Sequence, residues 1–421
     1  MNGLNIIDYL FLYSLLSTWV LLLMNIVLSL SGYKFFTKIN KQKIDILKEL
    51  TVFPSISVLI PAHNEEVVIE RTVKSILSLD YPKNKIEIIV INDYSSDRTK
   101  EILEDIKKSY LDRNIHIITT DKNTGGKGKS NALNIGFQKS SGDYIVVYDA
   151  DNTPEKLSLR YLVHTIVNDD EYGAVIGNFR TRYKEKNILT RFINIETLSF
   201  QWMAQAGRWE LFRLCTIPGT NFIVRRSVLE ALRGWDIHAI AEDTEISFRI
   251  YKMGYRIAFM PLSVTWEQEP ETLSVWFKQR TRWAKGNIYV LLKYVGEIFK
   301  RTSKSVLFDL YYFSLVYFFF LSSVIISDSI FLIGLFTDIK VSLSGNFLLL
   351  WIMAYILFIL EVSITLTKER GEHNYKNILL VSIMYFTYCQ LWVIVAFKGM
   401  YLYIKDKILK KETKWYKTER F

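Results

Sequence analysis

Hydrophobic residues follow two different patterns along the chain. Long apolar runs, each able to span a bilayer as a helix, lie at residues 9–33, 307–336, 346–367 and 377–403. Between the first two runs, residues 54–270 instead contain short β-branched segments that alternate with helix-like segments. This alternation predicts an α/β domain with a mostly parallel sheet, embedded between transmembrane helices.

The elements of this α/β domain follow from the same pattern. In sheets of this type ligands bind beyond the carboxyl ends of the strands, so candidate site residues are sought there. The predicted strands are 56–62, 86–93, 115–119 and 143–151, and the predicted helices are 65–79, 97–109, 129–139 and 154–168.

The first apolar run carries no charge, and lysines follow it directly at positions 34, 38, 41 and 43. This excess of positive charge places the N-terminus outside and the α/β domain in the cytoplasm of a multi-pass plasma-membrane protein. A cleaved signal peptide is the alternative. It is disfavoured, because no basic segment precedes the run and no small-x-small cleavage site follows it.

The late apolar runs leave the number of spans open. Four simple spans would place the basic tail that begins at Lys405 outside the cell, against the charge rule. Either the run at 307–336 contains more than one element, or the run at 377–403 is partly re-entrant or interfacial. Glu361 lies within the third run and is expected to face the protein interior or a polar passage, because a carboxylate in lipid is costly.

Composition narrows the class of partner. Half of the 421 residues are hydrophobic and the formal net charge is +10. Basic charge beside long apolar runs favours an anionic membrane surface over nucleic acid. The two cysteines, Cys215 and Cys389, lie far apart, which excludes a disulfide framework and fits a reducing compartment.

Acidic side chains lie where the second and fourth predicted strands end. Asn92 and Asp93 end the second strand, with Asp97 close behind, and Asp149 and Asp151 end the fourth. A helix N-cap is the simpler explanation for a single aspartate in such a place, and it suits Asp97. Asp149 and Asp151 instead place two carboxylates on one side of an extended segment, which suits Mg²⁺ or Mn²⁺ shared with substrate phosphates.

The segment TGGKGKS, residues 124–130, is similar to a phosphate-binding loop of nucleoside triphosphatases. That pattern requires glycine at position 123, where this chain has Asn123, so we reject it. A glycine-rich turn that brings Lys127 and Lys129 near a pyrophosphate stays open. Asp243 opens a further helix-like stretch, where a carboxylate stabilised by the helix dipole accounts for it on local sequence alone.

Taken together, six motifs resemble those of the processive family 2 glycosyltransferases, the membrane synthases of cellulose, related β-glucans, poly-N-acetylglucosamine, chitin and hyaluronan. The resemblance covers about residues 54–300. It implies a GT-A-type fold, inverting transfer from a UDP-sugar, and Mg²⁺ or Mn²⁺ as cofactor. The motifs are PAHNEE (61–66), NDYSSD (92–97), DAD (149–151), GT (219–220), EDTE (242–245) and QRTRW (279–283).

The resemblance also implies roles for individual residues. Asp243 matches the general base, and Asp151 with Asp149 matches the metal ligands. Two departures are Ala241 where many members have threonine, and IPGT in place of a cysteine-containing version. The implied substrate-binding residues are His63, Asn64, Glu65, Asp93, Lys129, Asp149, Gly219, Thr220, Glu242, Gln279, Arg282 and Trp283, with Asp93 on the uridine diphosphate part and Arg282 and Lys129 as cations for the leaving diphosphate.

Gln279, Arg282 and Trp283 lie at i, i+3 and i+4, on one face of a predicted helix, with Trp276 one turn earlier. An amide, a guanidinium and an indole can hold a diphosphate beside a sugar ring. The alternative is an amphipathic helix at the membrane interface. We expect both, with Arg280 and Lys285 of the same helix as membrane-surface anchors.

The sequence therefore predicts a synthase that extends a β-linked polysaccharide and passes it outward across the plasma membrane. We favour UDP-glucose and a β-1,4 or mixed-linkage glucan. The alternatives are a poly-β-1,6-N-acetylglucosamine synthase that uses UDP-GlcNAc, a non-processive transferase that makes a lipid-linked sugar, and a non-catalytic membrane scaffold.

The expected organisation has four parts. The expected partners are the UDP-sugar donor, the growing polysaccharide, the lipid bilayer and a small membrane or regulatory subunit, with no nucleic acid. A partner subunit is expected because the short basic tail leaves no room for a C-terminal regulatory domain. The parts are an N-terminal transmembrane helix (1–40), a cytoplasmic GT-A catalytic domain (50–270), an interfacial helix region (271–303), and a C-terminal transmembrane region with the basic tail (304–421).

Overall fold

A computed structural model describes residues 4–299, 304–337, 341–343 and 347–409. The predicted basic tail beyond residue 409 and the end of the predicted interfacial region lie outside these ranges.

One mixed sheet forms the centre of the middle domain. The strands within the described part of the chain are β1 (Ile56–Ala62), β2 (Ile86–Asn92), β3 (Asn114–Thr119), β4 (Tyr144–Val147), β5 (Thr153–Pro154), β6 (Tyr172–Arg182), β7 (Phe222–Arg225) and β8 (Arg256–Gln268). Their order across the sheet is β3-β2-β1-β4-β7-β6-β8-β5. The first four strands in that order are parallel, and β7 runs antiparallel to both of its neighbours. The predicted α/β fold with a mostly parallel sheet is thus confirmed.

The central strands form because their β-branched residues are buried on both faces. Leu59 of β1 lies opposite Ile89 of β2 and Val147 of β4, and all three are fully buried. The first three predicted strands are confirmed to within one residue. The fourth ends at Val147, four residues earlier than predicted. The prediction of an extended segment there is wrong, because residues 149–152 form a turn closed by the Asn152 amide, which donates to the Asp149 carbonyl.

Amphipathic helices cover the sheet. Ile69, Val73 and Ile76 are spaced by one helical turn and are all buried. The four helices predicted in this part of the chain are present, two of them beginning four residues later than predicted. Around the sheet and beside it lie α2 (Ile69–Leu77), α3 (Thr99–Ser109), α4 (Lys129–Lys139), α5 (Ser158–Val167), α6 (Ile188–Ser199), α7 (Ala206–Phe212), α8 (Arg226–Leu232), α9 (Glu242–Lys252) and α10 (Leu273–Tyr294), after the N-terminal α1 (Ile6–Glu49).

Helix α1 crosses the middle domain at a close glycine contact. A Cβ placed on Gly32 would lie 1.9 Å from the Trp202 carbonyl oxygen, and one placed on Gly207 would lie 2.2 Å from the Leu28 carbonyl oxygen. Only glycine permits the two backbones to approach this closely. The contact fixes α1 against the segment that leads into α7.

The late helices are α11 (Lys304–Ser314), α12 (Leu321–Gly334), α13 (Phe347–Leu366), α14 (Tyr375–Phe386) and α15 (Tyr388–Ile408). Within the described ranges, three helical stretches are long and apolar enough to cross a membrane: α1, the stretch Val306–Gly334, and α13. Helices α14 and α15 are bent by 42° and count as a fourth candidate only if the pair is one span.

The position of this bend bears on the two alternatives left open by the sequence. The first of the late runs, Val306–Gly334, is one helical stretch with a π-helical segment, Leu315–Phe320, inside it. The break falls instead in the last run, between α14 and α15, which favours the re-entrant or interfacial alternative. Glu361 is only 2% exposed and hydrogen-bonds with Asn25 of α1, so the prediction that it faces the protein interior is confirmed.

A buried ion pair joins the middle domain to the first late helix. Arg208 of α7 pairs with Asp309 of α11, and both side chains are 1% exposed. The Arg208 guanidinium also lies 4.6 Å from the centroid of the Tyr312 ring. A buried cation requires such a partner, and the pair therefore fixes how α11 lies on the domain.

Candidate functional site

A cavity of about 360 Å³ lies beyond the carboxyl ends of β1, β2 and β4. The motifs that are far apart in the sequence meet there, because parallel strands bring their carboxyl ends to one edge of the sheet. Thirteen of the fourteen predicted site residues line it: His63, Glu65, Asp93, Lys129, Asp149, Asp151, Gly219, Thr220, Glu242, Asp243, Gln279, Arg282 and Trp283.

Asn64 is the predicted residue that does not line the cavity. Its backbone φ is 56°, and its side-chain oxygen accepts a hydrogen bond from the Ser96 amide at 2.7 Å. The backbone amide of Asn64 donates to Ser95 Oγ at 2.9 Å. Asn64 therefore holds the loop that follows β2, beside His63, whose Nδ1 lies 2.6 Å from the Asp93 carbonyl oxygen.

Asp93 is held by the glycine-rich turn. Its Oδ1 accepts hydrogen bonds from the Gly126 amide at 2.9 Å and from Thr120 Oγ1 at 3.0 Å. The two lysines of that turn differ, because Lys127 is exposed whereas Lys129 lies in the cavity wall. The turn thus places one cation and one carboxylate at the same end of the cavity.

Lys129 lies at the centre of a cluster of carboxylates. Its Nζ is 2.6 Å from Asp149 Oδ1 and 3.4 Å from Glu242 Oε1, and it donates to the Gly219 carbonyl at 2.8 Å. Burial opposes the charge on this amine, but the attraction of Asp149 and Glu242 prevails and raises the pKa of Lys129. The side chain therefore stays a cation and joins three separate loops.

Asp243 lies in the first turn of α9, which agrees with its predicted place at the start of a helix. The residue before the helix, Ala241, makes no side-chain cap. Burial, followed by the charge of Glu242, raises the pKa of Asp243 to about 7, while Lys129 opposes the shift. A carboxylate with this pKa can accept a proton near neutral pH.

Asp149 and Asp151 both face the cavity. The Asp149 side chain is one-third exposed, and Asp151 is buried and accepts a hydrogen bond from the Gln268 amide at 3.3 Å. No cluster of three or more His, Cys, Asp or Glu side chains with metal-ligand geometry occurs in the part of the chain that is described. Two carboxylates still fit a hard divalent cation that takes its other oxygen ligands from a bound group.

The wall of the cavity is strongly acidic. Among the described residues, nine carboxylate side chains line it, against the three cationic side chains of Lys129, Arg280 and Arg282. This excess of negative charge would repel an anionic ligand that arrived without a cation. The acids are Glu65, Asp93, Asp149, Asp151, Glu196, Glu242, Asp243, Glu267 and Glu269.

Helix α10 presents Gln279, Arg282 and Trp283 to the cavity, as their spacing predicts, and the Trp283 side chain is 39% exposed. Trp276 does not join them. It is fully buried in the hydrophobic core, where its Nε1 donates to the Tyr388 hydroxyl at 2.8 Å. Of the two indoles of α10 about two turns apart, Trp283 therefore lies in the site and Trp276 in the core.

The prediction that Arg280 and Lys285 anchor α10 to the membrane surface is wrong. Arg280 is 1% exposed and donates to Gln279 Oε1 at 2.6 Å and to Glu196 Oε2 at 2.7 Å. Lys285 is also buried and pairs with Asp406 of α15. Both cations are neutralised by carboxylates inside the protein, because α6 supplies Glu196 and α15, which packs along α10, supplies Asp406.

The sequence pattern of the family described as "Glycosyl transferase family 2" matches residues 57–233. A protein of Bacillus subtilis (strain 168), named probable glycosyltransferase YdaM, is 50% identical over 412 residues and spans 98% of each chain. The chain belongs to glycosyltransferase family 2. The resemblance of its six motifs to this family is thereby confirmed.

One further relative and one solved structure are similar to this family 2 glycosyltransferase. The poly-beta-1,6-N-acetyl-D-glucosamine synthase of Staphylococcus aureus (strain COL) is 34% identical over 283 residues, which are 67% of this chain and 66% of the relative. The structure of the mannosyltransferase PcManGT from Pyrobaculum calidifontis, in complex with GDP-Man and Mn²⁺, superimposes with a TM-score of 0.60 at 19% identity. It covers 92% of this chain and 99% of that one, and the predicted GT-A-type fold is confirmed.

Several residues that line the cavity were not predicted. They include Glu196 and Phe200 from the segment after β6, and Phe313, Tyr317 and Trp392 from the late helices. These residues lie in apolar surroundings without a local motif, so their spacing gives no signal. Arg280 is different, because its place beside Gln279 and Arg282 in QRTRW could have suggested it.

Substitution of Gly219 tests how closely the backbone packs against Asp243 and Lys129. Its φ is +90°, and an added Cβ would lie 2.9 Å from Asp243 Oδ2 and 3.4 Å from Lys129 Nζ. We expect Gly219→Ala to displace Asp243 and to lower the rate of glycosyl transfer about 10²-fold. The rate is measured as release of nucleoside diphosphate from the sugar-nucleotide donor.

Gly254 supplies the matched control. Its φ is +89°, yet nothing lies within 4 Å of an added Cβ. Gly254→Ala therefore introduces the same backbone strain without touching the site, and its rate should stay close to that of the wild type. Equal losses of activity in the two variants would show that strain, and not the fit around Asp243, limits the reaction.

Proposed function

We propose that this glycosyltransferase is a processive, inverting polysaccharide synthase of the plasma membrane. The observation that carries the proposal is the shared wall of the cavity. Asp243 and the acidic loops line the same cavity as Phe313, Tyr317 and Trp392 of the late helices. Aromatic rings bind the apolar faces of sugars, so a growing chain can leave the reacting end along these helices.

The transfer step follows from the position and pKa of Asp243. The acceptor hydroxyl gives its proton to the Asp243 carboxylate while its oxygen attacks the anomeric carbon of the donor. The bond from that carbon to the diphosphate oxygen breaks on the opposite side, and the diphosphate leaves with the electron pair. One carbon–oxygen bond forms and one breaks, with inversion at the anomeric carbon. Arg282 and Lys129 are the cations available to the leaving group.

Asp149 and Asp151 are the proposed ligands of Mg²⁺ or Mn²⁺. When bound, the ion would neutralise charge on the leaving diphosphate. The excess of carboxylates in the cavity wall supports this role, because a diphosphate alone would be repelled. Asp93, His63 and Glu65 are the proposed contacts of the nucleotide, on the same side of the cavity.

The relatives bear on the choice of sugar. The name of the Staphylococcus aureus relative supports UDP-N-acetylglucosamine as donor and a poly-β-1,6-linked product. We therefore place this donor first, and UDP-glucose, which the sequence alone favoured, second. The mannosyltransferase bound to GDP-Man and Mn²⁺ supports a sugar-nucleotide donor and a divalent ion in general terms.

The contacts of α14 and α15 support a topology with three full spans. Glu372, just before α14, pairs with Lys184 of the catalytic domain, and Asp406, near the end of α15, pairs with Lys285. Both ends of the bent pair thus contact parts of the chain that the proposed topology places on the cytoplasmic side, which a full span could not do. A re-entrant pair leaves the basic tail on the cytoplasmic side with the catalytic domain, in agreement with the charge rule.

The experiment that tests the proposal supplies purified full-length protein with UDP-N-acetylglucosamine and, separately, with UDP-glucose. We expect one donor to give a high-molecular-weight product that a linkage-specific glycosidase digests. Asp243→Asn should bind the donor with unchanged affinity but lower the rate about 10²–10⁴-fold. A lipid-extractable monosaccharide as sole product would contradict a processive synthase, and full polymer output from Asp243→Asn would exclude the proposed base.

The pKa of Asp243 predicts how the rate depends on pH. Below about pH 7 this carboxyl holds a proton and cannot accept another, so kcat/KM should rise tenfold per pH unit and level off above pH 7. Glu242→Gln removes the neighbouring negative charge that helps to raise this pKa. The break in the profile should therefore move to lower pH in that variant.

Glu101→Gln is the control for this profile, because it removes a carboxylate from the exposed surface of α3, outside the cavity lining. Its break should stay at the pH of the wild type. A break that stays in place in Glu242→Gln, or that moves equally in both variants, would show that Asp243 is not the titrating base.

A further inference from the structure

A second cavity, of about 310 Å³, lies beside α1 where this helix leaves its apolar run. Phe36 and Lys43 of α1 form one wall, and Arg180 of β6 and Trp266 of β8 form another. The segment that joins α13 to α14 closes it with Lys368, Glu369, Arg370 and Glu372. None of these residues lines the active-site cavity.

Every carboxylate in the wall of this second cavity already has a cationic partner. Arg180 lies 2.7 Å from Glu369 and 3.6 Å from Glu155, and Lys184 pairs with Glu372. The acidic side chains of the wall are therefore neutralised within the protein.

Three further cations line the same cavity, and among the described residues none of the three has a carboxylate partner. Within the described ranges, no carboxylate lies within 4 Å of Lys43, Lys368 or Arg370. Lys368 is 5% exposed, and its Nζ donates to the Ile364 carbonyl at 2.9 Å and lies 3.6 Å from the centroid of the Tyr33 ring. Burial lowers the pKa of Lys368 to about 8. A buried ammonium without a counter-ion is unfavourable until an anion binds beside it.

We propose that this cavity binds a phosphate group, held by Lys368, Arg370 and Lys43. A guanidinium and two ammonium groups are the donors that phosphate oxygens accept best, and the neutralised acids of the wall do not repel the ligand. The site is independent of the proposed transfer reaction, since it shares no residue with the active-site cavity.

The position of the cavity along α1 makes it accessible to two sources of phosphate. Tyr33 ends the apolar run, and Phe36 and Lys43 lie about 4.5 and 15 Å farther along the helix. The headgroup layer of a bilayer is roughly 5–8 Å deep on each side. The cavity therefore begins at headgroup depth and opens toward the domain side, where either an anionic phospholipid or a soluble phosphate compound can enter.

The test measures the melting temperature of the full-length protein in a neutral detergent by tryptophan fluorescence. Four additions are compared: phosphatidylglycerol, phosphatidylcholine, sodium phosphate, and sodium chloride at equal ionic strength. The variant is Lys368→Met/Arg370→Gln, which removes two of the three cations. The control is Lys41→Gln/Lys376→Gln, which removes two exposed charges from α1 and α14 outside the cavity.

We expect the melting temperature of the wild type and of the control to rise by at least about 3 °C with phosphatidylglycerol, and that of the variant to be unchanged. Without additions, the variant should melt no lower than the wild type, because it loses a buried ammonium that has no carboxylate partner. A melting temperature at this level shows that the variant folds. If sodium phosphate raises the melting temperature of the wild type but not that of the variant, the site is supported with a soluble phosphate compound as its ligand. A rise that is equal in wild type and variant, or no rise with either phosphate source, would overturn the proposal.

Discussion

One buried cation determines the arrangement of the candidate active site. Lys129 begins α4 and reaches Asp149 after β4, Glu242 at the start of α9, and the Gly219 carbonyl before β7. Without it, these carboxylates would repel each other in a partly buried place where water screens charge less than in bulk solution. The same amine also limits how far the pKa of Asp243 can rise, so that burial and Glu242 bring it to about 7 and no higher.

A second network, centred on Glu196, joins this site to the membrane-facing helices. Its carboxylate accepts hydrogen bonds from Arg280 at 2.7 Å, from Trp392 Nε1 at 2.7 Å and from the Tyr388 hydroxyl at 2.8 Å. Arg280 in turn lies 4.0 Å from the centroid of the Trp283 ring. The face of α10 that carries Gln279, Arg282 and Trp283 and the aromatic side chains of α15 are therefore fixed relative to each other, so the middle domain and the late helices line one cavity together.

The sequence predicted the features that depend on local pattern or on motifs carried by strand ends. The strands β1, β2 and β3, the four sheet-covering helices and the meeting of Asp93, Asp149 and Asp243 in one cavity are of this kind. It failed where the answer depends on which distant helix packs against a residue. Arg280 has the charge and the neighbours of a surface anchor, and only the packing of α15 and the distant Glu196 make it a buried structural cation. The cations of the second cavity were missed for the same reason, since Lys43 and Lys368 lie more than 300 residues apart.

The central claim is that the growing chain passes from Asp243 along the aromatic wall of the late helices. It is tested most directly by the length of the product made by Trp392→Ala, with Trp351→Ala, an exposed tryptophan of α13 outside the cavity, as the matched control. Neither tryptophan is among the proposed contacts of the donor, so the initial rate of diphosphate release should stay within a few-fold of the wild type. We predict that Trp392→Ala makes markedly shorter chains while Trp351→Ala makes chains of normal length. Chains of equal length in both variants and the wild type would contradict this path.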